Sequence, residues 1–268
     1  MSTVRVAIAG ASGRMGIALL EAATSTEGVA LGAALDMPGS RLAGRDAGDA
    51  VAGARGIVVG SDPAQALAAS DVLIDFTRPE GTLAHLRACV AAGRAMVIGT
   101  TGFEPPQLAE IRAAARSVPL VMAPNMSVGV NVTLKLVELA SRALGADYDV
   151  EVFEMHHKLK VDAPSGTALK LGEVAAGARG KSLERDGVYA RHGVTGERRG
   201  GSIGFSVARA GDVVGDHTVF FAGPGERVEI THRSSSRATY AQGAMRAAKF
   251  LADKPPGLYD MQDVLGLK

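Results

Sequence analysis

Residues 4–24 read VRVAIAGASGRMGIALLEAAT. Val4–Ala9 is a short, β-rich apolar run, the signature of a strand buried on both faces of a parallel sheet. Gly10-Ala11-Ser12-Gly13-Arg14-Met15-Gly16 follows at once, and Ile17, Leu20, Glu21 and Thr24 continue at helical spacing. Strand, glycine turn and helix in succession form the context in which a glycine motif binds a dinucleotide. The spacing is GxxGxxG rather than GxGxxG, and the same physics applies. Gly10 makes the tight turn, Gly13 lets the backbone approach a pyrophosphate, and Gly16 lets the helix pack against the sheet. Val29–Leu35 is a second strand ending at Asp36, about 20 residues past the glycines, where an acid binds an adenosine ribose hydroxyl.

The α/β pattern runs on from there. Pro63–Ala69, Pro79–Ala92 (with Leu83, Leu86 and Val90 on one face) and Pro106–Arg116 read as helices. Asp71–Phe76, Ala95–Ile98 and Pro119–Met122 read as buried strands between them. Gly39–Gly60, rich in Gly, Ala and Asp, reads as a loop with an edge element. A doubly wound sheet holds its ligand at the carboxyl ends of its strands. Gly99-Thr100-Thr101-Gly102 is therefore a candidate nicotinamide contact, and Ala123-Pro124-Asn125-Met126 follows the carboxyl end of the next strand.

Near residue 127 the pattern changes. Ser127 is placed to cap a helix reaching about Leu144, with Val132, Leu136, Leu139 and Ala143 on one face. Beyond it, Ile203, Phe205 and Val207 alternate with polar or small residues, and Val228 and Ile230 with charged ones. Alternation with short Gly-containing turns predicts an antiparallel sheet covered on one face. Val188–Gly201 clusters charge and glycine and reads as a mobile loop. After Ser234-Ser235-Ser236 the helical period returns at Tyr240, Ala244, Ala247, Ala248 and Leu251, a helix able to pack back on the first domain. The expected domains are 1–126 with 237–268, and 127–236.

Composition narrows the function. The chain has 268 residues, 47% apolar and 21% charged, which suits one large or two modest folded domains. A net charge of +1 gives no reason to expect nucleic acid or an acidic membrane surface. No apolar stretch reaches the roughly 18 residues of a membrane span, so a soluble, cytoplasmic protein is expected. The single cysteine, Cys89, allows no internal disulfide and reads as a small packed residue. No metal is expected.

The chemistry gathers in residues 154–168, EMHHKLKVDAPSGTA. Two adjacent histidines and two lysines precede an acid, and Pro164-Ser165-Gly166-Thr167 reads as a helix start capped by Ser165. A helix N-terminus presents unpaired N–H groups and partial positive charge. With His157, Lys158 and Lys160 beside it, the stretch suits a small substrate carrying more than one carboxylate. His156 or Lys160 is then left to move protons.

These residues resemble the 4-hydroxy-tetrahydrodipicolinate reductase (dihydrodipicolinate reductase) family. The resemblance spans nearly the whole chain: GASGRMG at 10–16, IGTTG at 98–102, APNMSVGVN at 123–131, the 154–168 stretch, GERRGGSIGFSVARAGDVVGDHTV at 196–219 and ERVEITHRSSSR at 226–237. It implies a Rossmann-type parallel-sheet cofactor domain plus an α+β mixed-sheet domain that binds substrate and builds a homotetramer. It implies His156 as proton donor/acceptor and Lys160 as a second proton donor. Substrate carboxylates would be held by His157, Lys160, Ser165, Gly166 and Thr167. Cofactor contacts would come from Gly10, Ala11, Ser12, Gly13, Arg14, Met15, Asp36, Gly99, Thr100, Thr101, Ala123, Pro124, Asn125 and Met126. The implied activity is NADH- or NADPH-dependent reduction of a small cyclic dicarboxylate in lysine and diaminopimelate biosynthesis, with closure about hinges at Pro124–Ser127 and Ser234–Arg237. One departure is Met37, where many members carry an arginine for the NADPH phosphate, and it turns the expectation toward NADH. A dehydrogenase for another amino-acid intermediate, or a dinucleotide sensor, would share the cofactor half, and HHKLKVDAPSGTA argues against both.

Overall fold

The computed structural model describes residues 3–268. The chain divides into two compact units, one reaching Val128 and resuming over Arg237–Lys268, the other Gly129–Ser236.

The first unit opens with β1 (Val4–Ala9), α1 (Arg14–Ser25) and β2 (Val29–Leu35). Residues 39–60 form two single 3-10 turns and the two-residue edge strand β3 (Val59–Gly60). Then come α2 (Pro63–Ala68), β4 (Val72–Asp75), α3 (Pro79–Ala92), β5 (Ala95–Ile98), α4 (Pro105–Ala114) and β6 (Pro119–Met122).

The second unit holds α5 (Val128–Leu144), which enters from the first, β7 (Asp149–His156), α6 (Gly166–Gly177), the short α7 (Leu183–Asp186), β8 (Gly187–Val188), β9 (Ile203–Arg209), β10 (Gly215–Gly223) and β11 (Glu226–Ser234). The chain then returns to the first unit as α8 (Ala238–Leu251), β12 (Gly257–Tyr259) and α9 (Met261–Leu265).

The first sheet runs β12-β6-β5-β4-β1-β2-β3, and every pairing in it is parallel. Both faces are covered, which explains the solid apolar runs. Val6, Ile8, Val72, Ile74, Val97 and Val121 face a layer containing Leu19, Leu20, Ala244, Met245 and Leu251 from α1 and α8. Ala7, Leu73, Met96, Ile98 and Leu120 face Leu67, Leu83, Leu86 and Ile111 from α2, α3 and α4. Cys89 is buried in that second layer, and burial pushes its thiol up to about 12, as for an inert packing residue. Strand order reverses direction between β1 and β4, the point where such sheets bind ligands.

The second sheet runs β11-β10-β7-β9-β8 and is mixed. β10 is antiparallel to both β11 and β7, whereas β7–β9 and β8–β9 are parallel. The antiparallel sheet expected from alternation is corrected here. Alternation reports that one face is covered, not the direction of the neighbouring strand. That face packs Val150, Val152, Phe205, Val219 and Phe221 against Ala168, Leu171, Ala175 and Ala176 of α6 and Val137 of α5.

One further expectation changes. The face of α5 carrying Val132, Leu136, Leu139 and Ala143 is exposed, and Val130, Thr133, Val137 and Ser141 on the other side are buried. Helical periodicity locates an apolar stripe but not what covers it. The loop 188–201, read from its charge and glycine, reaches back to the sheet at three of its residues. Arg191 makes a fork onto Glu151 at 2.8 and 2.9 Å. Arg198 reaches Asp149 at 2.6 Å and Glu151 at 2.9 Å, and Tyr189 stacks on Phe205.

Candidate active site

In the first unit, the glycine turn sits where the strand order reverses. Gly10 has φ +71°, open to glycine at no steric cost, and a Cβ there would lie 2.9 Å from Thr77 Cγ2. A Cβ on Gly16 would lie 2.1 Å from the Gly10 carbonyl oxygen. The third glycine therefore lets α1 pack on the turn itself, closer than the sheet contact the spacing suggested. Gly13 caps α1 without a side chain, so the first helical turn, with Arg14 exposed and Met15 half-buried, is open to an anion. Ala11 is buried beneath the turn. Asp36, at the end of β2, accepts the Ser12 N–H and the Met37 N–H, each at 2.7 Å. That fixes a carboxylate beside the turn. The Met37 side chain is 75% exposed.

The loop after β5 is tied down from below. Asp75, fully buried at the end of β4, accepts hydroxyl hydrogen bonds from Thr77 (2.7 Å), Thr82 (3.0 Å) and Thr100 (3.1 Å), and its other oxygen lies 2.5 Å from His85 Nδ1. Burial alone would raise the Asp75 pKa. The bonds from His85 and Thr77 outweigh it and hold the group below the usual carboxylate range. Gly99 lies flat on Phe76, where a Cβ would come within 2.2 Å of the ring, and Thr101 is exposed. After β6, Ala123 and Met126 are buried, Pro124 is exposed, and Asn125 accepts the Ser127 N–H at 2.9 Å. Gly243 of α8 lets that loop approach: a Cβ there would sit 1.8 Å from the Met126 carbonyl oxygen.

In the second unit, β7 carries the 154–168 stretch to the edge of its covered face. Glu154 and His156 point the same way because strand side chains alternate. Glu154 is fully buried. It accepts a two-pronged bond from Arg209 at 2.9 and 3.0 Å and the Ser165 N–H at 3.1 Å, and it contacts His156 Nδ1. Burial would raise its pKa, but Arg209, His156 and Ser165 hold it below the ordinary glutamate value. Ser165 caps α6 by accepting the Ala168 N–H at 3.2 Å, and its hydroxyl lies 3.1 Å from His217 Nε2. The His217 ring meets His156 edge-on at 5.0 Å. Burial brings the His217 pKa down to about 4, so His217 is neutral at pH 7.

A turn closed by the Lys160 N–H on the His157 carbonyl (3.1 Å) brings Lys160 back beside the histidines. Its ammonium meets Asp162 at 2.7 Å, and Lys158 is exposed. Gly166, the first residue of α6, is exposed with nothing within 4 Å of its Cβ position, and Thr167 is half-buried beside it. In the second unit His156 ends β7, His157 and Lys160 share the turn that follows, and Ser165, Gly166 and Thr167 start α6. The unit holds two imidazoles, a cation and an open helix start within one turn and one strand end.

The C-terminal model of dihydrodipicolinate reductase matches residues 129–265, and the N-terminal model matches 4–126. The chain belongs to the dihydrodipicolinate reductase family. A 4-hydroxy-tetrahydrodipicolinate reductase of Aromatoleum aromaticum is 59% identical over 268 residues, covering 100% of this chain and 97% of that protein. One of Cupriavidus necator is 60% identical over 265 residues, covering 99% and 100%. The solved structure of dipicolinate-bound dihydrodipicolinate reductase from Paenisporosarcina sp. TG-14 superposes with a TM-score of 0.77 at 25% identity, covering 98% of this chain and 99% of that one.

Several buried or half-buried polar residues packed around these two places carry little signal in the sequence. Glu154 stood in the quoted stretch without a role, and Arg209, His217, Asp75 and His85 were not singled out. The one local signal was Glu154 two residues from His156 in a strand whose same-face partners, Val150 and Val152, are apolar. A carboxylate placed so must find partners. Glu154, His156 and His217 also bring ligand-type atoms within 4.8 Å of one another. Arg209 already neutralises that carboxylate and would repel a cation placed there, so the cluster reads as proton-handling.

Gly215 packs against one edge of His156: a Cβ there would lie 2.9 Å from Nε2 and 3.3 Å from Cδ2. Gly215→Ala is expected to displace the imidazole and lower kcat by about 10- to 100-fold, the usual result of misplacing a reacting group by roughly 1 Å. NADH binding and Tm should change little. Steady-state kinetics with unchanged kcat would show that Nε2 does not face the reacting atoms.

Proposed function

We propose that the chain carries out the reaction after which its relatives are named. This is NAD(P)H-dependent reduction of 4-hydroxy-tetrahydrodipicolinate to tetrahydrodipicolinate, with loss of water, in lysine and diaminopimelate biosynthesis. The observation that carries this reading is the 154–168 stretch. It sets an imidazole bound to a buried carboxylate beside a lysine and a helix start open to anions. The chain is an oxidoreductase that uses a pyridine nucleotide.

The first unit fits that cofactor. The uncapped start of α1 suits the pyrophosphate, and the Asp36 carboxylate suits the adenosine ribose. The loops Gly99–Thr101 and Ala123–Met126 stand at strand carboxyl ends, where the nicotinamide belongs. When bound, the nicotinamide supplies a hydride to the unsaturated ring carbon.

The second unit's residues do the rest. The Gly166 and Thr167 N–H groups, His157 and Lys160 hold the two carboxylates, and Ser165 fixes the helix start. His156 delivers a proton to the carbon next to the one that takes the hydride, with Lys160 as a second donor. The 4-hydroxyl leaves as water together with a hydrogen from the neighbouring ring carbon, and the unsaturated ring so formed gains one hydride and one proton.

Assembly and location belong to the same proposal. Phe153, Met155 and Phe220 lie on the sheet face opposite α6, partly exposed. A homotetramer built through that face would cover them. Among the described residues no helix is long and apolar enough to cross a membrane, which is compatible with work in the cytoplasm beside other biosynthetic enzymes.

For the cofactor we propose a modest NADH preference. NADPH would set a phosphate near Asp36, and two unit charges at about 4 Å repel by roughly 4 kcal/mol at an effective dielectric of 20. Solvent and the exposed Arg14 and Arg41 reduce this. Met37 offers no forked contact to a phosphate.

Two experiments follow. An NADH-oxidation assay with substrate generated in situ should show turnover. His156→Ala and Lys160→Ala should each lower kcat by about 10²–10⁴-fold with NADH binding intact. A variant within threefold of wild type removes that residue from the mechanism. In the same assay kcat/KM should favour NADH by about three- to thirtyfold, or roughly 0.7–2 kcal/mol, and Met37→Arg should shift the ratio toward NADPH. A wild type that favours NADPH tenfold would mean that Arg14 or Arg41 holds the phosphate and that Met37 does not decide the preference.

A further inference from the structure

The chain carries a charged group in its substrate unit that the reaction as proposed does not use. Glu154 has no exposure to solvent, yet it is ionised, because Arg209 forks onto both its oxygens at 2.9 and 3.0 Å. Its remaining bonds go to two places. One oxygen meets His156 Nδ1. The other accepts the N–H of Ser165, the residue that starts α6.

An ionised carboxylate only accepts hydrogen bonds. The proton on Nδ1 of His156 is therefore fixed, and Nε2 is bare when the ring is neutral and an N–H when it is protonated. Nε2 is also the nitrogen beside Gly215, where a Cβ would lie 2.9 Å away, so the glycine keeps side-chain atoms off that edge. The tautomer of the imidazole is thus set by a buried group to which the proposed reaction gives no step.

We propose that Glu154 is the positioning residue of this site: its carboxylate sets the tautomer and orientation of His156 and, through Ser165, holds the helix start that receives a substrate carboxylate. This rests on the reading of His156 as the proton donor.

The groups around His156 give the sign of the pH effect. Burial is the largest influence and lowers its pKa, and Lys160 and Arg209 lower it further. The neutral His217 ring stands at 5.0 Å, with His232 beside it in register on β11. Glu154 alone raises the pKa. A donor must be protonated to act, so kcat falls as pH rises through the His156 pKa in the complex. Removing the Glu154 charge moves that fall to lower pH.

The test joins kinetics to a direct view of the ring. In wild type, nitrogen NMR of the protein labelled at histidine, with His156 assigned by comparison with His156→Gln, is expected to show neutral His156 protonated on Nδ1. Glu154→Gln is expected to lower kcat by about 10- to 1,000-fold, to move the alkaline fall of kcat to lower pH, and to leave NADH binding unchanged. Wild-type His156 protonated on Nε2 would overturn the proposal, and that measurement needs no variant to fold. An unmoved pH profile with kcat within threefold would overturn it too. A wild type that shows Nδ1 protonation but never turns over the cyclic dicarboxylate would instead sink the functional reading beneath it.

Discussion

A carboxylate shut away from water holds the second unit's working end together. Left alone, an ionised Glu154 in that position would be prohibitively unfavourable. It persists because donors from three separate segments converge on it: Arg209 at the end of β9, the Ser165 N–H at the start of α6, and His156 on its own strand. Taking one partner away from such a pair costs about 3–5 kcal/mol, since the other charge stays buried. The interaction is thus worth more as a constraint than as stabilisation. It fixes where the chain leaves β7, where α6 begins and which way an imidazole faces. The histidines and Lys160 lie on the segment that runs between those two fixed ends.

The first unit uses the same device for a different purpose. Asp75, equally buried, gathers Thr77 from its own strand end, Thr82 and His85 from α3, and Thr100 from the loop after β5. The glycines then bring backbone up to the place this pins. Gly10 turns beside Thr77, Gly99 lies on Phe76, and Gly243 admits the Met126 carbonyl. Each unit therefore has one buried acid behind a surface of loops, and each acid orders side chains or backbone to which the proposed function gives a ligand. Pre-ordering of this kind removes reorganisation from the reaction itself.

Much of this was legible in the sequence, for physical reasons that also mark its limits. Val4–Ala9 and Ala95–Ile98 read as strands buried on both faces because nothing polar interrupts a run packed by helices on either side. Ser165 read as a cap because the helix start needs only its own neighbours. What depended on distant partners was missed. Glu154 could not be recognised as a hub without Arg209, 55 residues on. Asp75 needed Thr100, 25 residues on. The stripe Val132–Leu136–Leu139 was real, yet it faces outward, since a period says nothing of what lies opposite. The ion pairs of the charged loop 188–201 were not legible, because Asp149 and Glu151 sit on a strand some 40 residues earlier in the chain.

The central claim is that the helix start, His157 and Lys160 together read two carboxylates on one small ring. Competition in the NADH-oxidation assay tests it most directly, comparing pyridine-2,6-dicarboxylate with pyridine-2-carboxylate, which differ by one carboxylate on the same planar ring. The account predicts that the dicarboxylate competes with substrate and that the monocarboxylate is clearly weaker. Equal inhibition by the two would mean that the second carboxylate is not read, and the site would have to be drawn differently.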